Sequence, residues 1–135
     1  MARTREFDED EVLEQAMQVF WRRGYQSTSL NDLLDAMHLS KSSFYEAFGT
    51  KRDLLLTAIQ RYAESGMAGL IAPLLQPDAS RPAIEQTLAT MVKHARSAAG
   101  RRGCLVNNTL GEVAPHDPTV FTAIRGVLHQ LEAIL

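Results

Sequence analysis

Residues 29–55, SLNDLLDAMHLSKSSFYEAFGTKRDLL, decide the fold of this chain of 135 residues. They predict two short helices that are joined by a tight turn and followed by the start of a third helix. Ser29 and Asp32 have the spacing of a capping box, which predicts a helix that begins near residue 30. The apolar residues of this helix share one face: Leu30, Leu33, Leu34 and Met37. His38 then interrupts the pattern and marks the turn.

The second short helix begins after Ser40, which can cap a helix over residues 41–47. Its apolar positions are Phe44, Ala47 and Phe48. The other side chains of this helix are polar or have a polar tip. Thr50 and Asp53 repeat the capping-box spacing and open a longer helix. Two short helices joined by a tight turn are a common way to place a recognition helix in the major groove of DNA.

This segment lies within a longer pattern. A predicted helix ends in Phe-x-x-x-Gly-Tyr at residues 20–25, and Phe-Tyr-x-x-Phe-x-x-Lys follows at residues 44–51. Over residues 10–62 the combination resembles the N-terminal domain of the TetR (tetracycline-repressor-like) family of transcriptional regulators. The resemblance implies a helix-turn-helix domain that binds a palindromic DNA operator as part of a homodimer. The sequence departs from the family at His38, where family members usually have glycine.

By this resemblance, the following residues match DNA-contacting positions of the family: Thr28, Ser29, Lys41, Ser42, Ser43, Tyr45 and Lys51. Ammonium and hydroxyl groups suit the role, because they bond phosphates and base edges. Arg3 and Arg5 form a basic N-terminal arm that can enter the minor groove. Taken singly, each residue also has an ordinary explanation, since Ser29 caps a helix with or without DNA and exposed lysines are common. The outward Glu46 can accept from a cytosine or lie aside from the phosphates.

Charge alone does not identify the chain as a nucleic-acid binder. The net charge is −2, and residues 1–62 hold eight Lys and Arg against ten Asp and Glu. This balance argues against a protein that binds DNA by electrostatics alone. It allows a protein whose few cations share one face.

The rest of the sequence predicts further helices and no strand, so we expect an all-α fold. The additional helices cover about residues 9–23, 51–70, 82–99, 104–113 and 119–135. We expect a DNA-binding domain over residues 1–50 and a helical effector-binding and dimerisation region over residues 51–135. The apolar pattern still runs at Leu135, and the resemblance implies two further long helices in family members. We therefore expect the C-terminal dimer helices to be absent and the second region to be incomplete.

A second informative stretch, RRGCLVNNTLGEVAPHDP, covers residues 101–118. It resembles a TetR subgroup in which Gly-Cys-Leu opens a short helix, and the resemblance implies a candidate sensor of electrophiles or oxidants at Cys104. A helix N-terminus and two preceding arginines favour a thiolate. The alternative is a small buried residue that fills space, which is the commonest role of a free cysteine. Asn107 and Asn108 are candidates for binding a polar group of an effector.

An apolar effector pocket is the third prediction for this region. Its candidate lining residues are Met67, Met91 and Phe121, together with Leu70, Val92, Leu110 and Ile124. The alternative is an ordinary hydrophobic core, because an apolar stripe at helical spacing usually packs inside a protein.

Several other classes of function are disfavoured. No run of about 18 apolar residues is present to span a membrane, and residues 1–11 lack the apolar stretch of a signal peptide. With one cysteine there is no internal disulfide framework, so the cytoplasm is the expected location. The four histidines lack metal-ligand spacing, and we expect neither a metal nor another cofactor. No orienting group or oxyanion hole accompanies a pair of Cys104 with His94 or His116, so an enzyme is not expected.

The sequence therefore predicts a transcriptional repressor that binds double-stranded operator DNA as a homodimer and responds to a small-molecule or electrophile effector. By resemblance, the effector tilts the helix that begins at Lys51 and moves the recognition helices out of register with successive major grooves. Two alternatives stay open. One is a truncated helical interaction module that pairs with a full-length regulator, and the other is a thiol-dependent enzyme.

Overall fold

The computed structural model describes residues 7–134, and the predicted basic arm of Arg3 and Arg5 lies outside this range. Within it every regular element is helical and no strand occurs, which confirms the all-α prediction. The α-helices are α1 (Glu9–Arg23), α2 (Leu30–Met37), α3 (Lys41–Phe48), α4 (Lys51–Arg61), α5 (Ala68–Ile71), α6 (Arg81–Arg96), α7 (Leu105–Glu112) and α8 (Pro118–Ile134).

The chain divides into two units, of which the first ends at Ala58 and the second begins at Ile59. This boundary lies inside α4, a few residues after the functional division that the sequence predicts at residue 50. The functional division itself stays a prediction.

The first unit begins with α1, whose ends are fixed by two local signals. The Asp8 carboxylate accepts hydrogen bonds from the backbone N–H groups of Asp10 and Glu11, which caps the N-terminus. Gly24 ends the helix with φ 82°, a backbone conformation that glycine adopts without strain. Both ends agree with the predicted range of residues 9–23.

The turn between α2 and α3 is closed by His38 in the left-handed conformation, with φ 55° and ψ 45°. The backbone N–H groups of His38 and Leu39 both donate to the Leu34 carbonyl, which satisfies the end of α2. At the other end of α2 the capping box of Ser29 and Asp32 is complete. A histidine therefore occupies a position where glycine would be less strained.

The capping signals of α3 and α4 also form as predicted. The Ser40 hydroxyl accepts from the Ser43 backbone N–H at 3.2 Å. The Asp53 carboxylate accepts from the Thr50 N–H and hydroxyl, each at 2.9 Å, and the Thr50 hydroxyl accepts from the Asp53 N–H at 3.1 Å. Because each short helix begins on its own cap, the rotation of α3 about its axis is well defined within the first unit.

The core of the first unit is made by the apolar stripes of the four helices. Its buried residues are Val12, Leu13, Ala16, Met17, Val19, Phe20, Leu33, Met37, Phe44, Leu54, Leu55 and Ala58. Phe44 is fully buried and lies 6.1 Å from the Phe48 ring, which in turn lies 6.4 Å from Phe7. The inward Phe44 orients the opposite, polar side of α3 toward solvent.

The second unit begins with a change in helix type. The predicted helix over residues 51–70 continues after α4 as a π-helical stretch, Tyr62–Met67, and then as α5. The Ser65 hydroxyl donates to the Arg61 carbonyl at 2.7 Å, and the Ala68 N–H bonds to Ala63, five residues back. A serine hydroxyl that takes a backbone carbonyl loosens the normal helical bonding, which gives a physical reason for the wider turn.

The remaining helices follow the predicted order with one shorter end. Helix α6 stops at Arg96, three residues before the predicted end, because the Ser97 hydroxyl donates to the His94 carbonyl and accepts from the Gly100 N–H. At α8 the Asp117 carboxylate accepts from the N–H of Thr119, as the sequence predicts. The buried residues of this unit are Ile59, Thr87, Leu105, Val106, Thr109, Val113, Ala114, Val120, Ile124 and Val127.

Candidate nucleic-acid interface and effector region

The solvent side of α3 carries the polar residues that the sequence assigns to DNA. Lys41, Ser42 and Tyr45 are exposed and fall at i, i+1 and i+4, which places them on one face of the helix. Tyr45 is 46% exposed, and its ring meets the buried Phe44 ring edge-on with the centroids 5.6 Å apart. This contact holds the base of the tyrosine while its hydroxyl end remains accessible.

Serine hydroxyls cluster at the N-terminus of α3. The Ser40 hydroxyl donates to the Ser43 hydroxyl at 2.9 Å and lies 3.3 Å from the Ser42 hydroxyl. Hydroxyl groups beside the first turn of a helix can bond a phosphate oxygen together with the backbone N–H groups there. Ser42 is exposed and Ser43 is half-buried, so Ser42 is the better placed of the two for such a contact.

Two lysines occupy helix positions that are electrostatically unfavourable in the absence of an anion. Lys41 is the first residue of α3 and Lys51 is the first residue of α4. The N-terminus of a helix carries a partial positive charge, so a lysine there costs about 0.3–1 kcal/mol relative to the opposite end. The first turn of α3 contains no acidic residue that would offset Lys41. A phosphate placed between the ammonium and the helix end would satisfy both charges.

The ammonium group of Lys51 is held by an aromatic ring. Its Nζ atom lies 4.1 Å from the centroid of Tyr25, within the range of a cation–π interaction. The Tyr25 ring itself packs against Phe20, with the centroids 5.9 Å apart. Lys51 is half-buried, so its position is better defined than that of a fully solvated lysine.

The N-terminus of α2 combines the capping box with an ion pair. Hydrogen bonds from the Ser29 backbone and hydroxyl hold the pKa of Asp32 below its ordinary value, and the nearby Arg23 adds to this shift. Arg23 Nη1 lies 3.2 Å from the Asp32 carboxylate. Ser29 is exposed, which leaves its side of the cap accessible from solvent.

Thr28 is placed differently from what a side-chain contact with phosphate requires. Its side chain is fully buried and its hydroxyl donates to the Gly24 carbonyl at 2.6 Å. Its backbone N–H is bonded to the Tyr25 carbonyl. The geometry therefore gives Thr28 the role of closing the link between α1 and α2. Glu46 is exposed, as expected for an outward position on α3.

Cys104 lies at the N-cap of α7 and is half-buried. Its thiol contacts the phenol of Tyr62, the first residue of the π-helical stretch. Burial raises the pKa of Tyr62, and the hydrogen bond with Cys104 raises it further. This contact joins the π-helical stretch to the start of α7 within the second unit.

Three further predicted sensor residues lie on α7 and α8. Asn108 donates to the Arg102 carbonyl at 2.7 Å, which fixes the turn before α7, and Asn107 is exposed. Phe121 is 46% exposed, because Val120 and Ile124 occupy the buried side of α8. Asn107, Asn108 and Phe121 thus have separate local surroundings, and their joint role in binding an effector stays a prediction.

An apolar cavity of about 590 Å³ lies elsewhere in the second unit. Its lining residues are Met67, Leu70, Ile71, Leu74, Ala79, Ser80, Ile84, Thr87, Leu88, Met91 and Leu131. Met67, Leu70 and Met91 were expected in a pocket. Val92, Leu110, Phe121 and Ile124 were expected there too and are not among the lining residues.

The sequence alone does not predict the contacts of Tyr25 and Tyr62 in these sites. Tyr25 is 26 positions from Lys51, and no local spacing connects them. The contact of Tyr62 with Cys104 likewise has no local signal. The residues that α6 contributes to the cavity can be recognised from the sequence. The spacing i, i+3, i+4 and i+7 places them on one helical face, which one threonine interrupts: Ile84, Thr87, Leu88 and Met91.

Neither a metal-binding cluster nor a membrane-spanning helix occurs among the described residues, 7–134. No three His, Cys, Asp or Glu side chains within this range come together as a metal site would require. None of its helices has the length and apolar character needed to cross a bilayer.

Comparison with known proteins agrees with this geometry. The sequence profile of the bacterial regulatory proteins of the tetR family matches residues 12–58, which contain α2, α3 and most of α1 and α4. An uncharacterized HTH-type transcriptional regulator of Bacillus subtilis (strain 168), YezE, is 36% identical over 132 residues, which cover 98% of this chain and 68% of that protein. The HTH-type transcriptional repressor ComR of Escherichia coli (strain K12) is 27% identical over 124 residues, covering 91% of this chain and 59% of that protein.

Two solved structures share the fold. One is a cysteine mutant of the TetR family transcriptional regulator CifR complexed with 26 bp double-strand operator DNA. It is 33% identical, has a TM-score of 0.75, and the match covers 92% of this chain and 65% of that chain. The other, PfmR from Thermus thermophilus, is 23% identical with a TM-score of 0.57 and supports the fold alone. The chain thus spans roughly two thirds of the length of these proteins.

Proposed function

The chain belongs to the TetR family of bacterial transcriptional regulators and is a DNA-binding regulator, and we propose that it is a repressor that binds a palindromic operator as a homodimer. We propose further that a small-molecule effector releases it from the operator. The similarity to the transcriptional repressor ComR supports the repressor assignment, and the similarity to CifR in its complex with operator DNA supports operator binding.

The observation that carries the proposal is the exposed face of α3. Lys41 and Tyr45 lie on this face, and Lys41 stands at a helix N-terminus without an acidic neighbour in the first turn. We propose that Lys41, Ser42 and Tyr45 contact the major groove. The remaining candidate contacts are the phosphate contacts of Ser29, Ser43 and Lys51, with Arg3 and Arg5 in the minor groove.

The test is operator binding by single alanine variants. A fragment of the protein's own promoter region is the probe, and the same fragment with a scrambled sequence is the competitor. Lys41→Ala and Tyr45→Ala should each weaken specific binding by about 10-fold or more, the cost of losing a base-region contact worth about 1–3 kcal/mol. Lys93→Ala is the matched control, because Lys93 is an exposed lysine on α6. Unchanged affinity in both α3 variants would refute the proposed interface.

Dimer binding is a separate part of the proposal. A palindromic operator presents two half-sites about one helical turn apart, and two copies of α3 are needed to read them. Sedimentation of the protein with a full operator and with a single half-site tests this directly. We expect two copies on the full operator and much weaker binding to the half-site.

The effector response is proposed to run through the second unit. A ligand that binds this unit more tightly in one conformation shifts the equilibrium between two states of the protein. Helix α4 continues from the first unit into the second, so a conformational change in the second unit can be transmitted to the first along this helix.

A thiol response is an additional proposal. The sequence Gly103-Cys104-Leu105 supports membership of the subgroup with a cysteine at the start of α7. Modification of Cys104 would remove its contact with Tyr62 and so alter the π-helical stretch. Cys104→Ser should abolish a response of operator binding to an electrophile such as N-ethylmaleimide. A response that persists in this variant would exclude Cys104 as the sensor.

Exposed apolar residues favour one second candidate function. Val92, Phe121 and Leu128 are at least 40% exposed, as is typical of a surface that another protein covers. They support a helical module that pairs with a full-length regulator. This candidate predicts binding to such a regulator and no operator binding by the chain itself.

A further inference from the structure

Among the described residues, the lining of the cavity in the second unit includes no charged side chain. All its lining residues are aliphatic or methionine, apart from Ser80 and Thr87. The cavity is partly open to solvent, since Ile84, Leu88 and Met91 are about half exposed. A carboxylate or an ammonium group bound against its lining would lose part of its hydration without gaining an ionic partner, which is unfavourable. The chemistry of the lining therefore selects against ligands with a net charge.

The two hydroxyl groups define what polar group a ligand can carry. The Thr87 hydroxyl donates its hydrogen to the Ala83 carbonyl at 2.9 Å, so toward the cavity it can only accept. Ser80 stands at the N-cap of α6 but makes no side-chain capping bond, so its hydroxyl remains able to bond a ligand. A ligand with a hydroxyl group can donate to Thr87 and also accept from Ser80, whereas an ether can only accept from Ser80.

The shape of the lining favours a flexible aliphatic molecule. The lining residues within the described part of the chain include no aromatic ring that could stack on a planar ligand. Met67 and Met91 are unbranched and adapt to different ligand shapes. At about 30 Å³ for each water-sized group, the cavity of about 590 Å³ holds at most about 20 non-hydrogen atoms. This volume lies within the usual range for small-molecule sites.

Met67 also connects the cavity to the unusual backbone nearby. It is the last residue of the π-helical stretch Tyr62–Met67, and Leu70 and Ile71 follow in α5. Short π-helical turns within helices are frequent at functional sites.

We propose that this cavity binds an uncharged aliphatic molecule of about 10 to 15 carbons with one hydroxyl group. The effector role of such a molecule rests on the proposed function, whereas its binding does not depend on DNA. Binding is therefore measured on the free protein.

The test compares three ligands of equal chain length: 1-decanol, decanoate and decyltrimethylammonium. Calorimetric titration below the micelle concentration gives their affinities for the full chain. We expect 1-decanol to bind at least about 10-fold more tightly than either charged ligand, which corresponds to a difference of about 1.4 kcal/mol in binding free energy. We also expect it to bind more tightly than 1-methoxynonane, which cannot donate to Thr87. A charged ligand that binds as tightly as 1-decanol, or no binding of 1-decanol, would overturn the proposal.

Neighbouring residues on α6 provide a matched pair of variants. Met91 and Val92 are 47% and 51% exposed, but only Met91 lines the cavity. Met91→Arg should lower the affinity for 1-decanol at least about 10-fold and raise that for decanoate, because it supplies an ionic partner. Val92→Arg should leave both affinities unchanged, and circular dichroism checks that both variants fold. Equal effects of the two substitutions would contradict the assignment of the cavity.

Failure of this inference is distinguishable from failure of the proposed function. A protein that binds its operator but not 1-decanol would refute the ligand assignment and leave the regulator intact. If 1-decanol does not bind and Met91→Arg alone changes the sedimentation coefficient, the cavity seats a protein segment and the inference is wrong. Release from the operator by 1-decanol, absent in Met91→Arg, is the result that supports binding and effector role together.

Discussion

The contact between Lys51 and Tyr25 leads to a prediction that can be worked out in detail. The Lys51 ammonium lies 4.1 Å from the centroid of the Tyr25 ring, and the lysine is half-buried. If Lys51 binds a phosphate, the ring keeps its side chain in place before DNA arrives. Immobilising a free side chain on binding costs about 0.5–1.5 kcal/mol, and a cation–π contact of this kind contributes a similar amount. Replacing the ring should therefore cost about 1 kcal/mol of operator affinity, or about 5-fold in Kd.

The assay is a double-mutant cycle on operator affinity, measured by fluorescence anisotropy. Tyr25→Leu should weaken binding about 5-fold with little change in the salt slope, because Lys51 still neutralises its phosphate. Lys51→Ala should reduce the salt slope by about one unit. In the double variant the substitution of Tyr25 should have no further effect. Tyr25→Phe is the control, since a phenylalanine ring can also hold the ammonium.

Two results would refute this reasoning. One is an equal loss of affinity from Tyr25→Leu in the wild-type and Lys51→Ala backgrounds, which would mean that the ring acts independently of the lysine. The other is an unchanged salt slope in Lys51→Ala, which would mean that Lys51 contacts no phosphate. The thermal unfolding midpoint of each variant separates both results from a loss of folding.

Three further predictions concern the helix-turn-helix. His38→Gly should raise the free energy of unfolding by about 0.5–1 kcal/mol in urea denaturation, because glycine adopts the left-handed conformation without strain. His38→Ala should not raise it, since alanine keeps the Cβ atom that causes the strain. Gly49→Ala should destabilise the protein by more than about 1 kcal/mol in the same assay, since φ is 76° and a Cβ atom would lie 2.6 Å from the Asp53 carboxylate. Hydrogen bonds from the Thr50 backbone and hydroxyl lower the pKa of Asp53. The ionised Asp53 carboxylate therefore stabilises the folded protein above about pH 4, and this stabilisation is lost as the pH falls through the lowered pKa. Acid unfolding of Asp53→Asn should accordingly show a shallower pH dependence than that of the wild type.

The helices of the first unit could be predicted because their ends are written in local sequence. Ser29 with Asp32 and Thr50 with Asp53 form the expected capping boxes, and Gly24 ends α1. Such signals act over three or four residues, so they are visible without knowledge of the fold. The outward face of α3 follows from the same logic, because burial of Phe44 sets the orientation of the residues around it.

The rest of the candidate sites depends on contacts between residues distant in sequence. Nothing near Thr28 indicates that its side chain is buried, and its predicted contact with DNA rests on the family resemblance and on the backbone N–H groups at the N-terminus of α2. The contact between Tyr62 and Cys104 and the position of Ser80 in a cavity arise from tertiary packing. The apolar spacing of residues 51–70 does not reveal the π-helical stretch, because its six residues are too few to change the period of the pattern.

The central claim is that this chain reads a specific DNA sequence through α3. The most direct measurement is its binding to its own promoter fragment and to a scrambled fragment over a range of salt concentrations, with sedimentation to count the bound copies. The account predicts binding of two copies with at least about 1,000-fold preference for the promoter fragment. Equal affinity for both fragments that disappears as salt is raised would contradict it, because such binding is electrostatic and independent of sequence.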